Sequence, residues 1–386
     1  MRRDIKLILL TLVLLLLITG CSRNGYTPEP SQNNSNEPEF NYNDLIPVTG
    51  SYAITKQGVY TVANEKIYYL NDEDEWNLLC FDPACEHKSP ACSAYISRVS
   101  EIFTYDNYIY YLSGYKDNAI TLSRMNLMGK EREEIKKITI ENFTTSANYA
   151  YQMSANNILI RFRSIDTSRD YVLTTLYTTT LDKDSEVKII ATGDVNEFRL
   201  TKYWLFYTEK SEEDGTYSLK GYNFLTEEYI TVFPDYTEAC KYIATIYTPD
   251  PDAFYWFQAD KGFMKMNKED MNHVVVKKTD PSYERGGATY GSEYIYIVNY
   301  VSITDKNLGI PEEKRGLFIY NHEGEIIDFI GITFLGVDIT GYTFETDYKV
   351  FFREISSSST PNLYYIIKAD IGSGNLEWTK VEMVTN

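Results

Sequence analysis

The sequence predicts an all-β fold, and three observations support that prediction. Short aromatic-aliphatic segments such as IYYL and WLFYT recur along the chain, and the composition, with 35 Tyr and 18 Phe, favours strands. Apolar and polar residues alternate in and around these segments, as they do in half-buried strands. Beyond the N-terminal residues, no long segment has the 3.6-residue period of an amphipathic helix.

The recurring segments are regularly spaced, which indicates a repeat architecture. They begin at residues 67, 109, 158, 204, 254, 294 and 349, so neighbouring copies start 40 to 55 residues apart. Each is followed by a polar loop and a second β-rich stretch. A four-stranded unit of this kind buries both faces only when neighbouring units pack around an axis. We therefore expect a seven-bladed β-propeller over residues 49–386, with six or eight blades as alternatives and a two-sheet sandwich array as the rival fold.

The best-formed unit combines DNYIYYL, from residue 106, with LSRMNLMGKE, from residue 122. It resembles the repeats of TolB-like propellers. It is also similar to units of propeller-type lipoproteins from anaerobic Gram-positive bacteria, a family to which no function is assigned. The resemblance covers nearly all of residues 50–386 and implies the propeller fold, but no WD or kelch signature is present.

The N-terminus has the features of an export signal. A basic start is followed by an apolar run from Leu7 to Ile18, which is too short to span a bilayer and fits a signal peptide. The run ends in Ile18-Thr19-Gly20-Cys21, which resembles the lipobox of bacterial lipoproteins. That resemblance implies cleavage after residue 20 and acylation of Cys21, with fatty-acyl chains (palmitate among them) anchoring the chain to the extracytoplasmic face of the cell membrane.

The segment from 21 to 48 is predicted to be a flexible linker, because it is rich in Asn, Pro, Ser and Glu and has few apolar residues. Removal of residues 1–20 takes away three basic residues and one acidic residue. The formal charge of -18 then becomes -18 - 2 = -20. Such an acidic chain is not expected to bind nucleic acid, and the covalent lipid is expected to be its membrane attachment. We expect a monomer.

Residues 79–93, LCFDPACEHKSPACS, hold a dense group of potential metal ligands. Cys80, Cys85, His87 and Cys92 provide three thiolates and one imidazole, a complete tetrahedral set for a structural Zn²⁺. We assign the preceding WNLLCF to the third strand of blade 1, so that the cluster replaces the turn to the fourth. The Cys-x-x-Pro-x-Cys-x-His core of this run resembles one in the propeller-type lipoproteins named above, and the resemblance implies no activity.

Disulfides are the alternative for these thiols, since exported proteins form them. With Cys21 acylated, four cysteines remain, and Cys85–Cys92 or Cys80–Cys240 are candidate pairs. A histidine between two cysteines has no role in a disulfide knot, which favours the metal.

Common enzyme motifs are absent from the sequence, and His273 and His322 are expected to be ordinary surface residues. We predict ligand contacts in loops between second and third strands, at 113–119, 163–174, 209–216, 299–315 and 354–361. The expected function is a binding or scaffold module for a protein, peptide or glycan, and catalysis is not expected. The alternative is a propeller enzyme that acts on glycans through carboxylates gathered at the axis.

Overall fold

The structure is a computed structural model and describes residues 52–382. Within that span it leaves out 56–57, 97–101, 117–118, 140–147, 167–170, 212, 235–245, 259–260, 270, 279–287, 292, 299–315, 332–338 and 355–361. The predicted signal peptide, Cys21, the linker and Cys240 therefore lie outside the described residues. Within the described part, no helix is long and apolar enough to cross a membrane.

In the described residues, twenty-eight strands form seven four-stranded antiparallel sheets, which confirms the predicted seven-bladed propeller. Blade 1 contains β1–β4 (Tyr52–Thr55, Gly58–Ala63, Lys66–Leu70, Trp76–Leu78) and blade 2 contains β5–β8 (Ile102–Tyr105, Tyr108–Lys116, Ala119–Asn126, Glu133–Thr139). Blade 3 contains β9–β12 (Asn148–Ser154, Asn157–Asp166, Tyr171–Thr180, Lys188–Gly193) and blade 4 contains β13–β16 (Val195–Leu200, Trp204–Lys210, Tyr217–Asn223, Tyr229–Phe233).

Blade 5 contains β17–β20 (Tyr247–Asp250, Ala253–Gln258, Gly262–Asn267, His273–Lys277) and blade 6 contains β21–β24 (Ala288–Tyr290, Ile295–Val298, Gly316–Tyr320, Ile326–Gly331). Blade 7 contains β25–β28 (Ile339–Glu345, Lys349–Glu354, Leu363–Ile367, Thr379–Val381), and a 3-10 turn at Lys368–Asp370 follows β27. In every sheet the four strands are consecutive in the chain.

The assignment of strands within blade 1 was wrong by one position. Six of the seven recurring segments lie in second strands, but the segment at residue 67 forms β3, and Trp76–Leu78 is the fourth strand instead of the third. The error has a physical cause. Asn64 and Glu65, both with positive φ, join β2 to β3 in a tight hairpin, and Asp106 and Asn107 form the same kind of turn between β5 and β6. The two turns look alike although they connect different strands.

The apolar core lies between the blades. Seven buried clusters are found in the described residues, and each combines side chains from two adjacent blades. In β10, Ile158 and Ile160 pack towards blade 2, while the intervening Leu159 packs towards blade 4. Between blades 7 and 1, the rings of Tyr52 and Phe344 have their centroids 5.2 Å apart. Both faces of each sheet are therefore buried by its neighbours.

Polar contacts follow the same order around the ring. In every blade, the turn between the third and fourth strands is bonded to the preceding blade, and we call these contacts rim ties. They join Asp74 to Lys349 and Tyr365, Arg132 to Cys92 and Ser93, the Thr180–Ser185 turn to Lys136, Glu227 to Lys188, Lys268 to Glu228, Glu325 to Lys277, and the Gly372 N–H to Asp328. Exposed ion pairs contribute about 0–1 kcal/mol each, so the rim ties align the blades more than they hold them together.

The contact between blades 7 and 1 is predicted to need its buried aromatic residues. Phe351 is 1% exposed in the cluster that joins these blades. Phe351→Ala should lower the free energy of unfolding by about 3–5 kcal/mol, because it removes apolar contacts and leaves a cavity. Urea unfolding followed by circular dichroism measures this loss. The control is Tyr348→Ala, at a side chain 75% exposed, which should change stability by less than about 0.5 kcal/mol. Equal effects of the two variants would contradict the prediction.

Candidate metal centre

The segment Cys80–Ser93, here called the cysteine loop, interrupts the outermost strand of blade 1. Before the loop, the Leu79 N–H donates to Ile67 O at 3.0 Å. After it, the Ile67 N–H donates to Ala94 O at 2.8 Å, and the Ile96 N–H donates to Glu65 O at 2.9 Å. The same edge of β3 is thus paired on both sides of the loop. The cysteine loop is an insertion into the fourth strand, and the prediction that it replaces the turn before that strand was wrong.

Short-range hydrogen bonds shape the loop. Asp82 accepts the Ala84 N–H on its carboxylate at 2.9 Å and the Cys85 N–H on its carbonyl at 3.1 Å. His87 has φ of 55°, in the left-handed region where histidine is one of the more tolerated side chains. The resulting turns bring residues 80, 85, 87 and 92 together although Pro83 and Pro90 limit the backbone between them.

The four predicted ligands lie close together. One ligand atom from each of Cys80, Cys85, His87 and Cys92 can be chosen so that all lie within 4.8 Å of one another, and His87 Nδ1 is 3.4 Å from Cys92 Sγ. A tetrahedral site with Zn–S bonds of about 2.3 Å has sulfurs about 3.8 Å apart. A contraction of about 1 Å or less in the widest spacing would therefore complete the shell. The cluster could hold a metal such as zinc.

Backbone amides face the sulfurs, as expected for thiolates that carry charge. The His87 N–H points to Cys85 Sγ at 3.4 Å and the Ala94 N–H to Cys92 Sγ at 3.3 Å. Hydrogen bonds of this kind stabilise ligating thiolates and fix their orientation. The three sulfurs are not bridged to one another. The arrangement thus favours the metal over the Cys85–Cys92 disulfide, and the Cys80–Cys240 alternative involves a residue outside the described part.

The thiols differ in acidity when no ion is bound. Burial raises the pKa of Cys92 to about 11, because its side chain is almost fully enclosed. Burial also acts to raise the pKa of Cys80, but hydrogen bonds from the Asp82 backbone, Ser93 and the other thiols outweigh it and lower that pKa. A metal ion must therefore displace a proton from Cys92, and its affinity should rise with pH.

The cysteine loop is fastened to blade 2. Arg132 Nη2 donates to Ser93 O at 2.8 Å and to Cys92 O at 3.3 Å. Gly129 approaches so closely that a Cβ there would lie 2.4 Å from Ser93 O. Cys92 also belongs to the buried cluster between blades 1 and 2. An ion bound by the loop would therefore stiffen the contact between these two blades.

A cavity of about 440 Å³ is lined by the cysteine loop and by the Gly129–Arg132 segment beside their contact. Cys80 and Cys85 line it, and both are partly exposed. The cavity gives an ion a path to the sulfurs. The donor set has no position left over for a substrate once all four ligands are engaged, which makes the site structural in type.

Other predicted residues are not brought to this centre. His322 is exposed in the turn between β23 and β24, as expected, and His273 begins β20. Residues 113–116 and 119 lie in β6 and β7, and 163–166 and 171–174 lie in β10 and β11, so the described parts of these two segments are strands. Residues 211 and 213–216 do lie between strands, and 299–315 and 355–361 are outside the described residues.

Sequence reasoning missed a buried ion pair in blade 7, at its contact with blade 6. Lys368 Nζ lies 3.4 Å from Glu345, whose side chain is fully buried, and 3.9 Å from the exposed Glu293. Burial, followed by the charge of Glu345, raises the pKa of the nearby Tyr296 well above its usual value. Nothing in the sequence pattern signals this pair, because Glu345 ends β25, Lys368 follows β27, and their environment comes from two blades.

Comparison with known proteins supports the fold alone. No protein-family model and no curated protein sequence matches the chain. The structure of puromycin hydrolase is similar with 10% sequence identity and a TM-score of 0.51, covering 88% of this chain and 55% of that protein. The β-propeller domain of the Trilobed protease from Pyrococcus furiosus matches with 15% identity and a TM-score of 0.40, over 74% of this chain and 85% of that one.

An oligogalacturonate lyase from Vibrio parahaemolyticus matches with 11% identity and a TM-score of 0.43, covering 75% of this chain and 79% of that enzyme. The chain spans about half the length of the puromycin hydrolase. At this level of identity the comparisons define a β-propeller protein and say nothing about its activity.

Loss of one ligand should abolish metal binding. Cys85→Ser removes a thiolate, and we expect elemental analysis to find about one zinc per wild-type chain and none in the variant. A chelator should lower the Tm of the wild type to that of the variant and leave the variant unchanged. With free zinc at about a thousand times Kd, mass action predicts a stabilisation of about 4 kcal/mol.

The matched control is His322→Ala, which changes an exposed histidine away from the cluster and should retain zinc. Zinc affinity should increase between pH 6 and 8, because protons compete with the ion for the thiols. A wild-type chain that contains no metal and whose Tm is insensitive to chelator would contradict the assignment.

Proposed function

We propose that this protein is a lipid-anchored extracytoplasmic lipoprotein whose β-propeller is a rigid binding or scaffold module. In this proposal the signal peptide is cleaved after residue 20, Cys21 is acylated, and residues 21–48 form the linker to the propeller. The support for export and anchoring is the apolar run that ends in Ile18-Thr19-Gly20-Cys21.

The main support for a non-catalytic role is the set of side chains in the cysteine cluster. Three thiols and one imidazole can fill all four positions of a tetrahedral ion, and a catalytic zinc needs an open position for water or substrate. The cluster also lies in a contact between two blades and is bonded to Arg132. A structural zinc at that place would clamp blade 1 to blade 2.

The expected ligand is a protein, peptide or glycan, with no nucleic acid and no second protomer required. Support for excluding nucleic acid is the formal charge of -18. The alternative function, a glycan-active enzyme, requires two accessible carboxylates. Glu345 and Glu293 do approach a common lysine, but Glu345 is only 1% exposed and cannot contact a substrate in this arrangement. No contact among the described residues favours the enzyme.

Acylation is tested with the variant Cys21→Ala in a bacterium that processes lipoproteins. The wild type should incorporate an alkyne-labelled palmitate and fractionate with membranes, because its acyl chains partition into the bilayer. The variant should lose both properties. Cys240→Ala serves as the control and should behave as the wild type. Labelling of the Cys21→Ala variant would show that the anchor is elsewhere.

The distinction between a binding module and an enzyme is tested with the purified mature chain. Incubation with cell-wall and plant oligosaccharides, followed by chromatography, should show no cleavage, because the zinc-type site is closed and Glu345, of the Glu345–Glu293 pair, is buried. Turnover of any of these oligosaccharides would contradict the binding proposal and support the alternative.

A further inference from the structure

The turn between the third and fourth strands of blade 3 differs from the equivalent turns of other blades. In blades 1, 2 and 6 this turn begins with Asn71, Asn126 or Asn321, whose Oδ1 accepts the N–H of the residue four positions later. In each of these turns, the asparagine side chain therefore bonds the backbone of its own turn. Blade 3 has Thr180 at this place, and its turn runs to Ser185 and bonds to a side chain from blade 2.

That side chain is Lys136, from β8. Its Nζ lies within 3.5 Å of five oxygens, all from residues 179–185. They are Ser185 Oγ at 2.5 Å, Thr180 O at 2.6 Å, Thr179 Oγ1 at 2.7 Å, Asp182 O at 3.0 Å and Ser185 O at 3.5 Å.

The number of oxygens exceeds what a lysine can use. An ammonium group has three N–H donors, so at most three of the five oxygens receive a direct, well-aligned hydrogen bond at one time. A spherical cation has no such limit, and rings of carbonyl and hydroxyl oxygens replace its hydration shell. The geometry around Lys136 Nζ thus resembles a coordination shell more than an ordinary lysine contact.

The shell is held in place by bonds that do not involve Lys136. The Thr180 N–H donates to Ser185 Oγ at 3.3 Å, and the Leu181 N–H donates to Asn156 O at 3.1 Å. Asp182 Oδ2 accepts from Thr180 Oγ1 at 2.9 Å and from Asn156 Nδ2 at 3.1 Å. Because these contacts fix the turn, the oxygens should keep their positions when the ammonium is removed.

We propose that residues 179–185 form a binding site for a monovalent cation of ammonium or potassium size, and that the Lys136 ammonium fills this site in the native protein. The charge and the distances favour such an ion. All five oxygens are uncharged, which suits a single positive charge. Calcium prefers oxygens at about 2.3–2.6 Å and magnesium at about 2.0–2.1 Å, shorter than most of these contacts.

This inference is independent of the proposed binding function and of the metal centre. It assigns a specific role to the rim tie between blades 2 and 3, in which one blade supplies the cation and the next supplies the coordination shell. The neighbouring tie, Lys188 to Glu227, is instead an exposed ion pair between two charged groups.

The test uses the full mature chain with Lys136→Ala, which empties the site. In choline chloride, we expect the Tm of this variant to lie below that of the wild type. In ammonium or potassium chloride at the same ionic strength, the variant should recover at least half of that difference in Tm, and the recovery should saturate with ion concentration. Lithium and magnesium should restore less. The wild type should show no such ion preference. The matched control is Lys188→Ala. The partner of Lys188 is the single carboxylate of Glu227, with no shell of oxygens around it, so the Tm of this variant should be the same in potassium chloride and in choline chloride.

A folded Lys136→Ala variant that does not distinguish potassium or ammonium from choline would overturn the proposal. A second measurement decides the matter if that variant does not fold. In the wild type, acylation of lysines followed by peptide mass spectrometry should modify Lys136 several-fold more slowly than the exposed Lys137 on the same strand. Ser185→Ala, which removes the nearest ligand oxygen, should bring the two rates closer. Equal acylation rates of Lys136 and Lys137 in the wild type would show that the oxygens of residues 179–185 do not hold the ammonium, and would also overturn the proposal.

Discussion

A four-stranded sheet with apolar side chains on both faces must be covered on both sides, and this requirement governs the whole molecule. In β10, Ile158 and Ile160 face blade 2, the intervening Leu159 faces blade 4, and all three are fully buried. Since burial of apolar area is the main favourable term in folding, no blade of this kind is stable alone. A closed ring satisfies every blade at once. Each blade therefore depends on the presence of both of its neighbours.

The polar contacts between blades supplement the apolar packing. The rim ties hold each outer turn against the preceding blade, but the chemistry differs from one place to the next: a carboxylate with lysine and tyrosine at Asp74, a cation cage at Lys136, ion pairs further around. At the contact of blades 1 and 2 the tie is combined with the cysteine cluster. A bound metal there would be much stronger than an exposed ion pair, because its ligands are charge-bearing and close the shell.

The buried Glu345–Lys368 pair is an exception to the apolar rule. After the third strands of blades 3 and 4, the equivalent positions are Leu181 and Phe224, which make the same backbone hydrogen bond as Lys368. Removing two charges from water offsets most of what their attraction gains, so the pair contributes little net stability. Its two members lie in the same blade, at the end of β25 and just after β27. Loss of either side chain would leave the other charge buried without this partner, which is costly.

Much of the fold could be predicted from the sequence, because alternation and spacing are local signals. The seven aromatic segments gave the blade count, and Cys80, Cys85, His87 and Cys92 could be grouped because they lie within thirteen positions. The strand order in blade 1 could not be predicted, because two similar tight turns, at Asn64 and at Asp106, connect different pairs of strands in their blades. Contacts such as Lys136 with Ser185 join residues 49 positions apart on facing blades, and no periodicity reveals which side chains will meet there.

The construction of each sheet from four successive strands has a consequence for how such a chain can change. Among the described strands, none is borrowed from another blade, and the first and last of them lie in blades that contact each other. The unit of the architecture is thus a contiguous gene segment. Duplication or deletion of one such segment alters the diameter of the ring without changing the order of strands in any blade. A propeller whose first and last described strands were joined by a linker could be reopened between any two blades.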